Sequence, residues 1–180
     1  MGASVLAAFF FLSPFAGLRA QRESASEYEI KAALLLNFAR FTEWPGTSFA
    51  SPKAPLVVGV VGRDPFGTLL EKTFSAQTMN GRSIVVKRLT ADQDLKQCHL
   101  LFVPASEKRR QRELLEKIRG LPILTVGERD DFLDHGGEVQ FLFADESIRF
   151  SINLNPAKAA KLRINASVLR LAISVRGRYE

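Results

Sequence analysis

The chain predicts an α/β domain built as a three-layer sandwich: a mostly parallel sheet of about six strands with an antiparallel edge hairpin, and helices on both faces. Three observations point there. Short unbroken apolar runs, LVVGVV at 56–61, HLLFV at 99–103 and ILTV at 123–126, suit strands buried on both faces. Helical patterns fall between such runs, as the crossovers of parallel strands require. Two further strands, 138–143 and 148–154, are separated only by Ala144-Asp145-Glu146-Ser147, a connection short enough for a hairpin.

The elements follow in order. Residues 28–41 read as a helix, with Ile30, Ala33, Leu34, Asn37, Phe38 and Phe41 on one stripe. Ala32, Leu35, Leu36 and Ala39 widen that stripe to two faces, so this helix is either sandwiched in the domain or shared with a partner. Ser26 and Glu29 have capping-box spacing, and Pro45-Gly46 ends the element. After the 56–61 strand comes the turn GRDPFG, where Asp64 is a cap and Pro65 the first helical residue of a segment carrying Leu69, Leu70 and Phe74. Asn80-Gly81 turns the chain into a strand over 84–89. Pro104 stops the 99–103 strand, Ser106 caps a charged helix over 107–119, and Gly120 with Pro122 ends it. A single helical turn is expected over 131–134. In 148–154 the apolar Ile148, Phe150, Ile152 and Leu154 alternate with polar residues, the period of a half-exposed strand. Pro156 opens a final helix with Leu162, Ile164, Val168, Leu169 and Ala172 on its apolar side.

Domain organisation is simple. Residues 1–20 read as a signal peptide: an apolar core at 5–12, a break at Ser13-Pro14 and a small residue, Ala20, at a plausible cleavage point. The run is short for a membrane span of about 20 apolar residues, the requirement of the alternative, an uncleaved anchor. A flexible segment, 21–27, leads into one domain over 28–178. The single Cys98 excludes an internal disulfide and, lying far from the cleavage point, a lipoprotein anchor. A net charge of +6, spread along the chain, gives solubility and no nucleic-acid signature.

No catalytic constellation stands out. GRDPFG lacks both the Gly-Lys-Ser/Thr of a phosphate loop and the spacing of G-x-G-x-x-G. Cys98 and His99 are neighbours on a strand, pointing to opposite faces, and with His135 they lack zinc-ligand spacing. There is no G-x-S-x-G. The basic residues 108–110, Arg112, Arg170, Arg176 and Arg178 read as exposed faces, or else as contacts for anionic lipid or an acidic partner. Neither catalytic residues nor a metal or cofactor are expected. Two binding surfaces remain. The aromatics Phe38, Phe41, Trp44 and Phe49 crowd the entrance of the domain; beyond core packing they are candidates for partner contact. Loops at the carboxyl ends of the strands converge in an open parallel sheet and would place Arg63, Asp64, Phe66, Ser106, Glu107 and Glu128 around a small-molecule crevice.

The leader followed by IKAALLLNFARFTEWP, LVVGVVGRDPFG, Gly81-Arg82, CHLLFVPASE, ILTVGE, FLDHGGEVQF and IRFSINLNPAKAAKLRINASVLRLA resembles the YfiR-like periplasmic proteins over nearly the whole mature domain. The resemblance implies periplasmic residence, dimerisation and no catalysis. It further implies repression, by protein–protein contact, of an inner-membrane diguanylate cyclase or similar sensor through its periplasmic domain, lowering cyclic-di-GMP and biofilm formation. An outer-membrane protein that sequesters the repressor is a further implied partner. The family archetype carries disulfides, and with Cys98 alone this chain cannot form one internally. The alternative is a periplasmic small-molecule binding protein using the carboxyl-edge loops.

Overall fold

The structure, a computed structural model, describes the backbone of residues 15–179 and side chains from Ser26 onward. The apolar core and helix break of the leader lie outside the described residues. Strands β2 (Leu56–Val61), β4 (Arg82–Leu89), β5 (Leu100–Val103), β6 (Leu124–Gly127) and β7 (Val139–Ala144) form a parallel array, β7 reverses into β8 (Ser147–Asn153), and the full eight-stranded order is β10-β8-β7-β6-β5-β2-β4-β3. Here β3 is Thr78–Met79 and β10 is Ser174–Arg176. The expected hairpin is present, but it is not the edge: β10 pairs parallel to β8 outside it. A separate ribbon joins β1 (Thr42–Glu43) to β9 (Arg163–Ile164).

The strands alternate between two cores, as a period of two demands. Val58, Val60, Leu100, Phe102, Leu124, Val126 and Phe141 face one side. Helices α1 (Phe15–Arg40), α2 (Leu69–Phe74), α4 (Leu154–Ala159) and α5 (Ala166–Leu169) add residues to that core. Val57, Val61, Leu101, Val103 and Ile123 face the other side, with Leu114, Leu115 and Ile118 around α3 (Gln111–Lys117) and with Phe132. Phe132 is wholly buried, and the ring lies where a Cβ on Gly127 or Gly137 would come within 2.2 or 2.1 Å of it. Close approach, not backbone freedom, therefore demands glycine at both positions.

Several local expectations change. Helix α1 begins well before Tyr28, so Ser26 is inside it rather than capping it, and 21–27, expected as flexible, is helical. No proline or glycine interrupts 18–40. Its buried stripe is Lys31, Ala32, Leu35, Phe38 and Ala39, one step round from the expected one, with Lys31 held under the helix by Glu128. Ile30 and Phe41 consequently face outward. Asp64 does not cap a helix. Its Oδ1 accepts the Phe66 N–H at 2.7 Å in a local turn, Pro65 lies outside the helix, and α2 starts only at Leu69. Ser106 sits in a 3-10 turn (Ala105–Glu107) that delays α3 to Gln111. The single long final helix is absent: Lys161, at φ +59°, breaks it by a left-handed cap in which Leu162 N–H reaches Ala157 O at 2.8 Å. Asn165 then starts α5 by accepting the Ser167 N–H at 2.9 Å. Alternation in β8 holds only at its exposed start; from Phe150 to Asn153 every residue is buried. Among the described residues no helix is long and apolar enough to cross a membrane.

Candidate functional site

The outward stripe of α1 makes the first surface. Leu34, Phe38 and Phe41 meet Phe150, Val168 and Leu171 around an apolar groove of about 260 Å³. Phe38 is only 1% exposed and packs edge-on to Phe150, ring centres 5.0 Å apart, so it forms the floor. Phe41 and Leu171, 38% and 68% exposed, stand at the rim. Phe38 is thus a core residue, and the exposed side chains at this groove are those of its rim. Leu171 and the nearby Ile173, also exposed, are not among the residues that the sequence places on the apolar side of a final helix.

Trp44 and Phe49 belong elsewhere. The Trp44 indole N–H donates to His99 O at 3.0 Å, and Phe49 stacks on the His99 ring at 4.3 Å with the Arg82 guanidinium 3.9 Å from its other face. His99 Nδ1 accepts the Val57 N–H at 3.0 Å, leaving Nε2 to donate to Ser48 O at 3.1 Å. Burial holds the His99 pKa below its ordinary value, opposed by the Ser48 bond and helped by Arg82. This is an anchored loop rather than an exposed aromatic patch. Cys98 is buried in the opposite core, and burial pushes its thiol up to about 11.

The carboxyl-edge residues are largely occupied by one another. Glu128 Oε2 receives Lys31 Nζ at 2.6 Å and Tyr28 OH at 3.3 Å, while Oε1 receives Ala105 N–H at 2.7 Å. Lys31 also pairs with Glu27. Helix α1 therefore closes over the end of β6. Burial, with Glu128 and Glu27 beside it, pushes the Tyr28 hydroxyl well above its ordinary pKa. Asp64 pairs with Arg88 at 2.8 Å, Phe66 is buried against Tyr28 and Phe102, and Glu107 folds across Gly62. Arg63 and Ser106 are exposed. The structure brings these six near the same sheet end but leaves Phe66 and Glu128 little free surface.

A larger cavity, about 510 Å³, opens on the other face, between the end of α3, the 129–137 turn and α4. Leu115, Ile118, Ile123 and Leu133 form its apolar walls. At its floor Glu138, 5% exposed, receives the Thr125 N–H at 2.9 Å and the Thr125 hydroxyl, both on Oε2. Burial raises the Glu138 pKa from 4.5 to about 7, against the lowering effect of the Thr125 bonds. Asn153 also lines it, and the exposed Arg112 and Arg119 stand at its mouth. The sequence reading took Glu138 only as the start of a strand; an acid placed directly before the apolar VQFLF was the available signal. Among the described residues no group of three or more His, Cys, Asp and Glu side chains is arranged to hold a metal ion.

These features define the class: a three-layer α/β domain with a parallel sheet, an outer apolar groove and a half-polar cavity on its opposite face. The chain belongs to the YfiR/HmsC-like family, whose model matches residues 28–173. That span begins at Tyr28, where α1 meets Glu128, and ends at Ile173, just before β10. The family is a regulatory one, periplasmic and known for control of diguanylate cyclases.

Proposed function

We propose that this protein is a periplasmic regulatory adaptor, exported by a cleaved signal peptide, that represses an inner-membrane diguanylate cyclase or related sensor. It acts without catalysis, by docking on the sensor's periplasmic domain and favouring the inactive state. A ligand shifts such an equilibrium only by its difference in affinity for the two states, so the contact must be conformation-selective. The observation that carries this reading, within the regulatory family, is the apolar groove rimmed by Phe41 and Leu171. Large side chains exposed around a recess are typical anchors of protein interfaces. Release by an outer-membrane protein, and dimerisation, use the same kind of surface.

The test is repression in a deletion strain complemented with wild type, Phe41→Glu or Leu171→Glu. Both positions are exposed, so folding is retained while a charge enters the rim. Cyclic-di-GMP rises and membrane co-purification of the sensor is lost for the variants. Full repression by both charged variants refutes the groove as the docking surface; unchanged cyclic-di-GMP on deletion refutes the adaptor role itself.

A further inference from the structure

We infer that the cavity between α3, the 129–137 turn and α4 is a binding site for a small molecule with a primary amine at one end and an anionic group at the other, of the ω-amino carboxylate type. The inference is independent of the docking groove, which lies on the other side of the sheet.

Its basis is an acid out of place. Glu138 is 5% exposed and at the bottom of an open cavity, yet no cationic side chain pairs with it among the described residues. Burying a carboxyl group without a countercharge is costly, and cores avoid it unless the group is used. The Thr125 bonds do not account for an acid there. Both terminate on Oε2, and the amide of a glutamine would accept them equally well without desolvating a charge. What a carboxylate supplies and an amide does not is strong reception of a cation. The missing countercharge is therefore assigned to the ligand.

The mouth has the opposite character. Arg119 is exposed, lines the cavity and makes no ion pair among the described residues. Arg112, seven residues earlier and within α3, reaches His135 Nε2 only at 3.3 Å. Of the acids nearby, Asp134 is engaged by Arg176, and Glu116 is exposed beside the two arginines. Two guanidiniums at the rim suit a carboxylate or phosphate. Since the acid is deep and the arginines are at the surface, the ligand's charges sit at opposite ends. Between them Leu115, Ile118, Ile123 and Leu133 favour an apolar methylene spacer. The raised pKa of Glu138 accords with this: an incoming ammonium favours the ionised carboxylate, and the carboxyl proton is released to solvent.

Calorimetric titration of the full chain with γ-aminobutyrate, δ-aminovalerate and ε-aminocaproate tests the site, with butylamine and butyrate as single-ended controls. At least one ω-amino acid binds saturably and more tightly than either control. Glu138→Gln and Arg119→Ala each raise its Kd about tenfold or more, the loss expected for one charge-assisted hydrogen bond. Arg119→Ala alters only an exposed side chain, so it decides the matter should Glu138→Gln fold poorly. The inference is overturned if none of the three ligands binds saturably, if a single-ended control binds as tightly, or if binding is unchanged in Arg119→Ala.

Discussion

Replacing Glu138 by glutamine removes one titration while keeping size and the Thr125 hydrogen bonds. In the wild type, burial lifts the folded-state pKa from 4.5 to about 7. Below 4.5 both folded and unfolded chains carry the proton, and Glu138 adds no pH dependence. Between 4.5 and about 7 the unfolded chain has lost its proton while the folded one retains it, so rising pH favours unfolding. Above that window the folded chain holds a buried charge and the penalty is complete. At about 1.4 kcal/mol for each pH unit, the displacement amounts to roughly 3 kcal/mol. The expected result is a stability difference, Glu138→Gln minus wild type, that is flat in acid, grows across the window by about 3 kcal/mol and levels off above it. Urea denaturation of both proteins at a series of pH values measures it, and titrations shared by the two cancel in the difference. A difference that does not change with pH would show that Glu138 is solvated or paired rather than buried alone at the cavity floor.

Other substitutions probe the frame around these surfaces. Lys31→Ala strands the buried Glu128 carboxylate, whose side chain is 8% exposed, and lowers stability by about 3–5 kcal/mol in urea denaturation; a loss under about 1 kcal/mol would mean the pair is effectively exposed. Gly127→Ala drives a methyl into the Phe132 ring and costs about 1–3 kcal/mol, whereas Gly46→Ala, with open space around its Cβ, has little effect; thermal melts separate the two. Cys98, 3% exposed with its pKa pushed up to about 11, reacts with maleimide only as fast as the protein opens, so labelling at neutral pH accelerates sharply through the urea transition. Rapid labelling of the native protein would contradict its burial.

The parallel strands were readable because unbroken apolar runs have one economical environment, between two covered faces. LVVGVV is buried at all six positions. The rotation of α1 was not readable, because its sheet face includes Lys31, whose burial depends on Glu128, 97 residues away. Periodicity alone assigns a lysine to solvent and Phe41 to the core, and both assignments reverse. The last helix failed for a local reason: Lys161 occupies a left-handed position usually marked by glycine. The short strands β1, β3, β9 and β10 exist only through their partners and leave no pattern of two to three residues to detect. Site residues fared unevenly for the same reason. The aromatics at the domain entrance were identified, but which were floor, rim or loop anchor depended on contacts such as Trp44 with His99, 55 residues on. For Glu138 the sequence offers only an acid ahead of an apolar strand; its depth comes from the fold.

The β1–β9 ribbon has a consequence for synthesis. Thr42 faces Ile164, and Tyr179 OH caps the same ribbon by accepting the Ile164 N–H at 2.9 Å. Thr42–Glu43 thus acquires its partner strand only once Arg163–Ile164 has been made. A growing or partly threaded polypeptide cannot complete this ribbon early, and its pairing is the natural late step in the domain's assembly.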